Sequence, residues 1–314
     1  MKRVGLLVGR ERSFPDALIA TILARGASVA ADYVLLEGTR MAEPAPYDVL
    51  IDRISHEVPY YQAYLKHAAL EGVYVINNPF WRLADDKFFG TSLADAIGVA
   101  VPKTVLLPNK GYVPGIVPES LRNLKYPLDW DEILALTSLP AIVKVHYGGG
   151  WRDVYRVENR GELEQVYDRS GRQTLMVQEF IQWERYARCI VIGRERVKAT
   201  AWDPRRPHFE RYRYDEPPLP APLQQRIETD ACRLCGALGY DMNTVEFAVR
   251  DGVPYAIDFM NPAPDFDITS LGQTNFEWTV TAMADFVLSV VQGNRQPQLH
   301  WKSLLNAPLD APVA

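Results

Sequence analysis

Two short stretches of this sequence carry residue types that could handle phosphate and a divalent cation. In IVKVHYGGGWRDV, Lys144 sits in an apolar strand pattern four residues ahead of Gly148, Gly149 and Gly150. Consecutive glycines let backbone amides turn towards an anion without side-chain hindrance. Such a nest suits a polyphosphate, to which Lys144 would add a point charge. A run of three glycines also serves as a plain hairpin tip, and the stretch lacks the Gly-Lys-Ser/Thr ending of a P-loop. The second stretch, YAIDFMNPAPDF, alternates like a strand through Asp258 and breaks at Asn261 in front of Pro262. It is either one side of a metal site or a simple turn. Glu179 and Glu184, in QEFIQWE, stand where a strand runs into a connection. They could accept from a nucleotide's amino group and ribose hydroxyls, or lie solvated at an edge.

Register tests the second stretch. In MNTVEFAVRDGVPYAIDFM, a two-residue turn at Asp251-Gly252 would set Glu246 opposite Ile257 and point Asp258 to the other face. A three-residue turn, Arg250 to Gly252 with the glycine left-handed, pairs Val249 with Val253 instead. Glu246 then opposes Ala256 and Asp258 opposes Thr244, while Val245, Phe247, Ile257 and Phe259 share the other face. We expect this register, because it keeps the carboxylates together and the apolar residues together. The alternative is an exposed face carrying two solvated acids. Asn261 lies three residues beyond Asp258, so strict alternation turns it away. A bulge near Met260, or an early strand end, is needed to bring it back.

The elements that must position these groups are legible from periodicity. Residues 1–80 alternate strand and helix: RVGLLVG, a helix around 14–25, ASVAADYVLLE, YDVLIDRIS, a helix in PYYQAYLKHAALEG, and VYVINN. That pattern predicts a small α/β domain with a parallel sheet covered on both sides. Its first strand ends in VGRERSF, without the three-glycine dinucleotide pattern. A helix (86–98), a strand (99–108) and a Pro/Gly-rich loop (109–127) follow within a linking region, 81–137. Residues 138–200 read as a small lid subdomain bearing the glycine loop. Residues 201–314 read as a subdomain with the carboxylate hairpin and a last helix near 274–293. The fold class expected is α/β with α+β subdomains.

Composition limits the function. The 314 residues carry 34 basic and 39 acidic side chains, for a formal net charge of −5. No basic run exceeds a pair, so nucleic-acid binding is not expected. The densest basic-aromatic region, DPRRPHFERYRY, is either a surface loop or an anionic-substrate contact. No apolar run approaches the length of a signal peptide or membrane span. Three cysteines make no disulfide framework, which points to a cytoplasmic protein, and CRLC (232–235) lies inside a helix pattern with no second pair for zinc.

Taken in order, INNPFWRLADDKFFG, VAVPKTVLLP, PAIVKVHYGGGWRDVYRV, LMVQEFI, YARCIVIG and VEFAVRDGVPYAIDFMNPAP resemble the ATP-grasp superfamily of D-alanine–D-alanine ligase, glutathione synthetase and peptide glutamate ligases. The resemblance covers about residues 73–290 and implies ATP held between two α+β subdomains. By position, Lys87 and Lys144 would be the two phosphate lysines, with Gly148, Gly149 and Gly150 covering the phosphates. Glu179, Phe180 and Ile181 would line the adenine slot, and Glu184 would meet the ribose. Arg188 would contact phosphate or an intermediate. Glu246, Asp258 and Asn261 would hold Mg²⁺, with Mn²⁺ an alternative ion. Relatives generally set the last acid and the asparagine two apart, which puts Asn261 in question as a ligand. Asp265 is its nearest substitute, or else a partner for a substrate ammonium.

The activity this implies is ligation: a carboxylate activated as its acyl phosphate and joined to an amine or a thiol. Hard oxygen ligands suit magnesium, and a closed lid would keep water from an acyl phosphate. Small-molecule carboxylate and amine substrates are the partners expected, and a dimer is the oligomer expected. A kinase on the same nucleotide site, with RRPHFERYRYDE as its basic pocket, is the alternative enzyme. A nucleotide-binding protein without turnover is the third reading. Arg53, His56 and Tyr60 are expected to face the cleft, while His56 and His208 read as surface or turn histidines rather than bases.

Overall fold

The protein is described here from a computed structural model, which covers residues 1–41, 43–80, 86–147 and 153–295. The glycine loop, Gly148 to Gly150, lies outside the described residues, as does much of the C-terminus.

The first unit is the expected parallel sheet. Strands β1 (Lys2–Leu7), β2 (Val29–Tyr33), β3 (Val49–Asp52) and β4 (Tyr74–Ile76) lie in the order β2-β1-β3-β4, all parallel. Helix α1 (Ser13–Arg25) follows β1, and α2 (Pro59–Leu70) follows β3. Val4, Leu6, Leu50 and Ile51 are fully buried, as the continuous apolar runs of a sheet covered on both faces require.

Two antiparallel sheets follow. In the first, β5 (Thr104–Leu106), β8 (Leu175–Glu179), β6 (Ala141–Val145) and β7 (Val154–Val157) lie in that spatial order. Helices α3 (Lys87–Ala96), α4 (Trp130–Thr137) and α5 (Arg160–Arg169) intervene in the chain. The second runs β10 (Arg196–Ala201), β9 (Arg185–Ile192), β11 (Met242–Arg250), β12 (Val253–Asp258). Helices α6 (Ala221–Leu238) and α7 (Ile268–Val291) complete the chain. β9 pairs with β11 along eight residues and carries β10 with it, so residues 185–201 belong to the second antiparallel sheet and the last strand of the first ends at Glu179.

Strand β11 shows how the sequence serves both core and site. Val245, Phe247 and Val249 are buried in one apolar cluster with Ile227, Leu234 and Leu238 of α6, each such side chain contributing roughly 1.5–3 kcal/mol. The alternate residues Thr244, Glu246 and Ala248 are buried too, but they face away from α6 by strand alternation. A strand with both faces covered has room for a carboxylate only where something polar answers it.

The hairpin register differs from the one expected. Asp251 and Gly252 form a two-residue turn, both at positive φ (52° and 71°), and Arg250 pairs with Val253. This is the turn that Asp-Gly favours, because its twist matches the strands. The pairing continues to Phe247 opposite Ala256, and then a bulge admits Ile257 as an extra residue, so that Asp258 opposes Glu246. The carboxylates do share a face, through a shorter turn and a bulge at Ile257, three residues before the Met260 position considered.

Candidate active site

The two antiparallel sheets present their inner faces to one another across a cavity of about 360 Å³, within the range of small-molecule sites. From the first of these sheets, Ile142 and Lys144 of β6 line it with Val154 and Arg156 of β7, and Gln178 of β8. These are register partners, Ile142 with Arg156 and Gln178, Lys144 with Val154, so they must share a face. From the other sheet come Tyr186, Glu246, Ala248, Ile257 and Asp258, and from the end of β8 and the connection after it come Glu179, Phe180, Ile181 and Trp183.

Lys87 enters from the start of α3. The Asp86 carboxylate caps that helix, accepting from the Phe88 and Phe89 amides at 2.9 and 3.0 Å, and the Lys87 amide donates to the His146 carbonyl at 2.9 Å. A capped helix end tied to the end of β6 thus brings Lys87 to the cavity that Lys144 lines. Burial pulls the Lys144 ammonium down to about 8; Asp258 and Glu246 oppose this and Lys87 adds to it. Two cations in one dry space are costly unless an anion joins them.

Glu246 is the buried acid of the site, its side chain 3% exposed. Burial pushes its carboxyl up to about 7, against the Arg188 guanidinium and with the help of Asp258. The Tyr186 hydroxyl donates to it at 3.1 Å, and Arg188 Nη1 lies 3.5 Å away. Arg188 also donates to Thr244 Oγ1 at 3.0 Å and lies 5.3 Å from the Trp202 ring centre. Its Nε is buried with no partner among the described residues.

Asn261 reaches the same space by another route than a bulge at Met260. β12 ends at Asp258, and side chains then take over the ladder's work. The Asn243 amide donates to the Phe259 carbonyl at 2.8 Å while its oxygen accepts from the Asn261 amide at 3.0 Å. Asn77 donates to the Met242 and Pro262 carbonyls at 2.7 and 2.9 Å, and Arg53 donates to the Pro264 carbonyl at 2.6 Å. The Asn261 side-chain NH₂ donates to the Thr244 carbonyl at 3.0 Å. That bond fixes the amide's orientation, since a carbonyl can only accept. Its other end is an oxygen, in a cavity wall shared with Glu246 and Asp258.

Two carboxylates and an amide oxygen form the hard-oxygen donor set that magnesium takes, with remaining positions filled by substrate phosphates and water. No group of three or more His, Cys, Asp or Glu suited to a metal occurs among the described residues. An ion here would complete its shell with substrate oxygens or water.

Several expected contacts are placed otherwise. Glu184 is exposed, accepts from the Gly252 amide at 3.3 Å at the hairpin tip, and does not line the cavity. Its backbone amide is bonded to the Val249 carbonyl, which turns the residue to the outer side of the connection. Trp183 and Arg205 occupy that end of the cavity, the guanidinium 4.4 Å from the indole centre. The Glu179 carboxylate lines the slot but accepts from Arg250 Nη1 at 2.7 Å, so its charge serves the joint between the two sheets. Arg53 does not face the cleft. It is a buried side chain bonded to both oxygens of Glu11 and sandwiched between Phe14 and Phe266.

A second cavity, about 200 Å³, adjoins the first across Glu246, Asp258 and Asn261. Arg188, Trp202, His208, Tyr212, Asp265 and Ser270 are among its lining. The region read as a surface loop or substrate contact thus supplies a cavity wall, and His208 is part of it. Of the residues missed, Tyr186 had a signal, lying two residues before Arg188 on one strand face. His208 and Ser270 had none, being 62 residues apart and joined only by the fold.

The chain has the ATP-grasp fold. With a D-alanine–D-alanine ligase from Bacillus anthracis complexed with ATP it shares a TM-score of 0.62 at 16% identity, covering 94% of this chain and 98% of that one. A RimK domain ATP-grasp protein from Sphaerobacter thermophilus gives 0.65 at 20% identity, over 90% and 98%. A Chryseobacterium gregarium RiPP-associated ATP-grasp ligase, in complex with ADP and a leader and core peptide, gives 0.63 at 15%, over 95% and 100%. Among curated proteins, the chain is 27% identical over 181 residues to a D-alanine–D-alanine ligase from Ralstonia nicotianae, covering 52% of this chain and 54% of that protein. It is 30% identical over 126 residues to pyruvate carboxylase 1 of Caenorhabditis elegans, covering 35% of this chain and 11% of that protein. The matched regions thus span about half or less of these curated relatives. No family model matches the chain.

Proposed function

We propose that the protein is an ATP-dependent ligase that activates a carboxylate as its acyl phosphate and joins it to an amine. The observation that carries this reading is the convergence of Lys87, Lys144, Glu246 and Asp258 on one cavity, with a second cavity on the far side of the same two carboxylates. A nucleotide in the first cavity and a substrate in the second would meet at that wall, which is the geometry of a group transfer.

In this reading Lys87 and Lys144 bind the phosphates, Phe180, Ile181 and Trp183 enclose the base end, and Glu246, Asp258 and Asn261 hold Mg²⁺. The ion would supply charge neutralisation to the phosphoryl group in transfer. Arg188, which lines the second cavity, would face the carboxylate substrate there. Amino acids or short peptides are the substrates proposed, in keeping with the ligases that share the fold. A polyanionic kinase substrate is less well served, since Asp265 sets a negative charge among the cavity's guanidinium groups.

The test is to incubate the protein with ATP, Mg²⁺ and mixtures of amino acids and dipeptides. Release of ADP with free phosphate, dependent on the mixture, is expected. A phosphorylated product without free phosphate would make it a kinase, and ATP binding with no turnover would leave only a nucleotide-binding role.

A further inference from the structure

The second cavity contains a proton acceptor with its tautomer already set. His208 Nε2 lies 2.7 Å from Asp265 Oδ2 and 2.8 Å from Ser270 Oγ. Ser270 donates its own proton to the same Asp265 oxygen, at 2.7 Å. A carboxylate oxygen has no proton to give at that distance, so Nε2 must carry one and share it between the two oxygens. Whenever the ring is neutral, Nδ1 then holds the lone pair, and the ring's bonds to Asp265 and Ser270 are made by Nε2. A carboxylate that fixes an imidazole's tautomer from behind is how a histidine is prepared as a base.

An amine acceptor creates the need for one. It arrives as an ammonium ion, and its nitrogen has no lone pair until a proton leaves. The other lining groups are poorly suited. Guanidinium groups, those of Arg188 and Arg211, do not give up their protons. Burial holds the Tyr212 phenol well above its ordinary range, despite Arg188. Glu246 and Asp258 line both cavities, and in the ligase reading they are occupied with Mg²⁺. Burial would raise Asp265, but hydrogen bonds from Ser270, the Asp267 amide and His208 outweigh it and keep that carboxyl low.

We infer that the second cavity admits the amine acceptor beside the carboxylate substrate and that His208, oriented by Asp265 and Ser270, is the base that takes the acceptor's proton. This rests on the ligase reading above. The acceptor's N–H proton passes to His208 Nδ1, and the freed nitrogen pair forms a bond to the acyl carbon. The carbon–oxygen bond to phosphate breaks, its electron pair leaving on the phosphate, which takes the nitrogen's second proton as the neutral amide forms. Asp265 balances the imidazolium that results, and Ser270 holds Asp265 in place.

Two nucleophiles separate this role from a structural one. Hydroxylamine is uncharged at neutral pH and captures acyl phosphates without help from a base. The enzyme is given ATP, Mg²⁺ and a pool of the protein amino acids in both hands as carboxylates. Either hydroxylamine or the pool's own amines serve as acceptor, and hydroxamate and amide products are measured separately. In His208→Gln, hydroxamate formation should stay within about three-fold of wild type while amide formation falls about 10²-fold or more. Asp265→Asn should shift the same ratio in the same direction, and added imidazole should restore part of the amide formed by His208→Ala. Equal loss of both products, or loss of neither, would overturn the base assignment. Wild-type hydroxamate with no amide would overturn the amine-acceptor site. Failure of the wild type to form either product, or to release phosphate, would instead overturn the ligase reading on which the inference stands.

Discussion

Glu246 and Asp258 stand opposite one another on β11 and β12, and Ile257 is the extra residue that makes this pairing possible beside a two-residue turn. The bulge gives the cavity both an apolar wall residue and an acid from adjacent positions, which a regular strand cannot do. The two should separate kinetically. Ile257→Ala should raise the KM for ATP several-fold and leave kcat nearly unchanged. Asp258→Asn should lower kcat by about 10²-fold or more with a smaller effect on KM, as expected for a group that acts on developing charge. Steady-state ADP release checks both, and a kcat loss in Ile257→Ala of the same size would refute the division.

Glu246 should leave a mark on stability as well as turnover. Its carboxyl sits near 7 in the folded chain against an ordinary 4.5, chiefly through burial. The folded state therefore holds the proton more tightly, and unfolding free energy contributed by this group falls as pH rises from about 4.5 to about 7. The shift corresponds to an upper bound of about 3 kcal/mol. Urea midpoints of the ligand-free protein should drop across that window, and Glu246→Gln should flatten the drop. An unchanged slope in the variant would show that the group does not titrate there.

Lys144 carries the opposite sign. Burial lowers its ammonium from 10.5 to about 8, so the charged form is disfavoured until phosphate supplies a counter-charge. Nucleotide binding should take up a proton above pH 8, and affinity should weaken between about pH 8 and 10. Lys144→Ala should raise the ATP Kd by about 10- to 100-fold, the range for a lost charge-assisted hydrogen bond, and remove that proton uptake. Calorimetry in two buffers of different ionisation enthalpy measures it directly.

The fold was legible because its signals are local and periodic. RVGLLVG, YDVLIDRIS and VYVINN read as buried parallel strands, and β1, β3 and β4 are such strands. The carboxylate hairpin was legible as a hairpin but not in its register. Alternation alone cannot choose between a three-residue turn and a two-residue turn followed by a bulge, since both reconcile the acids. Asn261 was harder still, because side chains of Asn77 and Asn243 hold its corner from far along the chain. His208 is exposed, as expected of a surface histidine, but its pairing with Asp265 and Ser270 was hidden for the same reason, since they lie 57 and 62 residues away. What failed to show in the sequence was assembled by long-range hydrogen bonds, which leave no period.

Gly90 and Met260 form a tight joint between α3 and the corner that follows β12. A Cβ at Gly90 would fall on the Met260 sulfur and lie 3.1 Å from its methyl carbon. Met260 sits between Phe259, which is core, and Asn261, which lines both cavities. Gly90→Ala should displace Met260 and lower activity more than the change costs in helix stability, where alanine is otherwise favoured. Gly90→Ala combined with Met260→Ala should recover much of the loss, because the crowding is removed. Additive losses in the double variant would show that the two residues act separately.

Arg53 couples the N-terminal unit to the same corner. Its guanidinium makes two bonds to Glu11, at 2.9 and 2.7 Å, and one to the Pro264 carbonyl, between the rings of Phe14 and Phe266. The arginine side chain is 3% exposed and the glutamate 16%, so removing one partner strands a largely buried charge. Arg53→Met should cost about 3–5 kcal/mol, and Arg53→Met with Glu11→Gln should cost clearly less, since the second change removes the stranded charge. Denaturant unfolding of the two variants measures the difference. Activity gives an independent answer, because the Pro264 carbonyl loses its donor in both. If the corner depends on that bond, the double variant should regain stability without regaining kcat; recovery of both together would mean that Glu11 alone accounts for the defect.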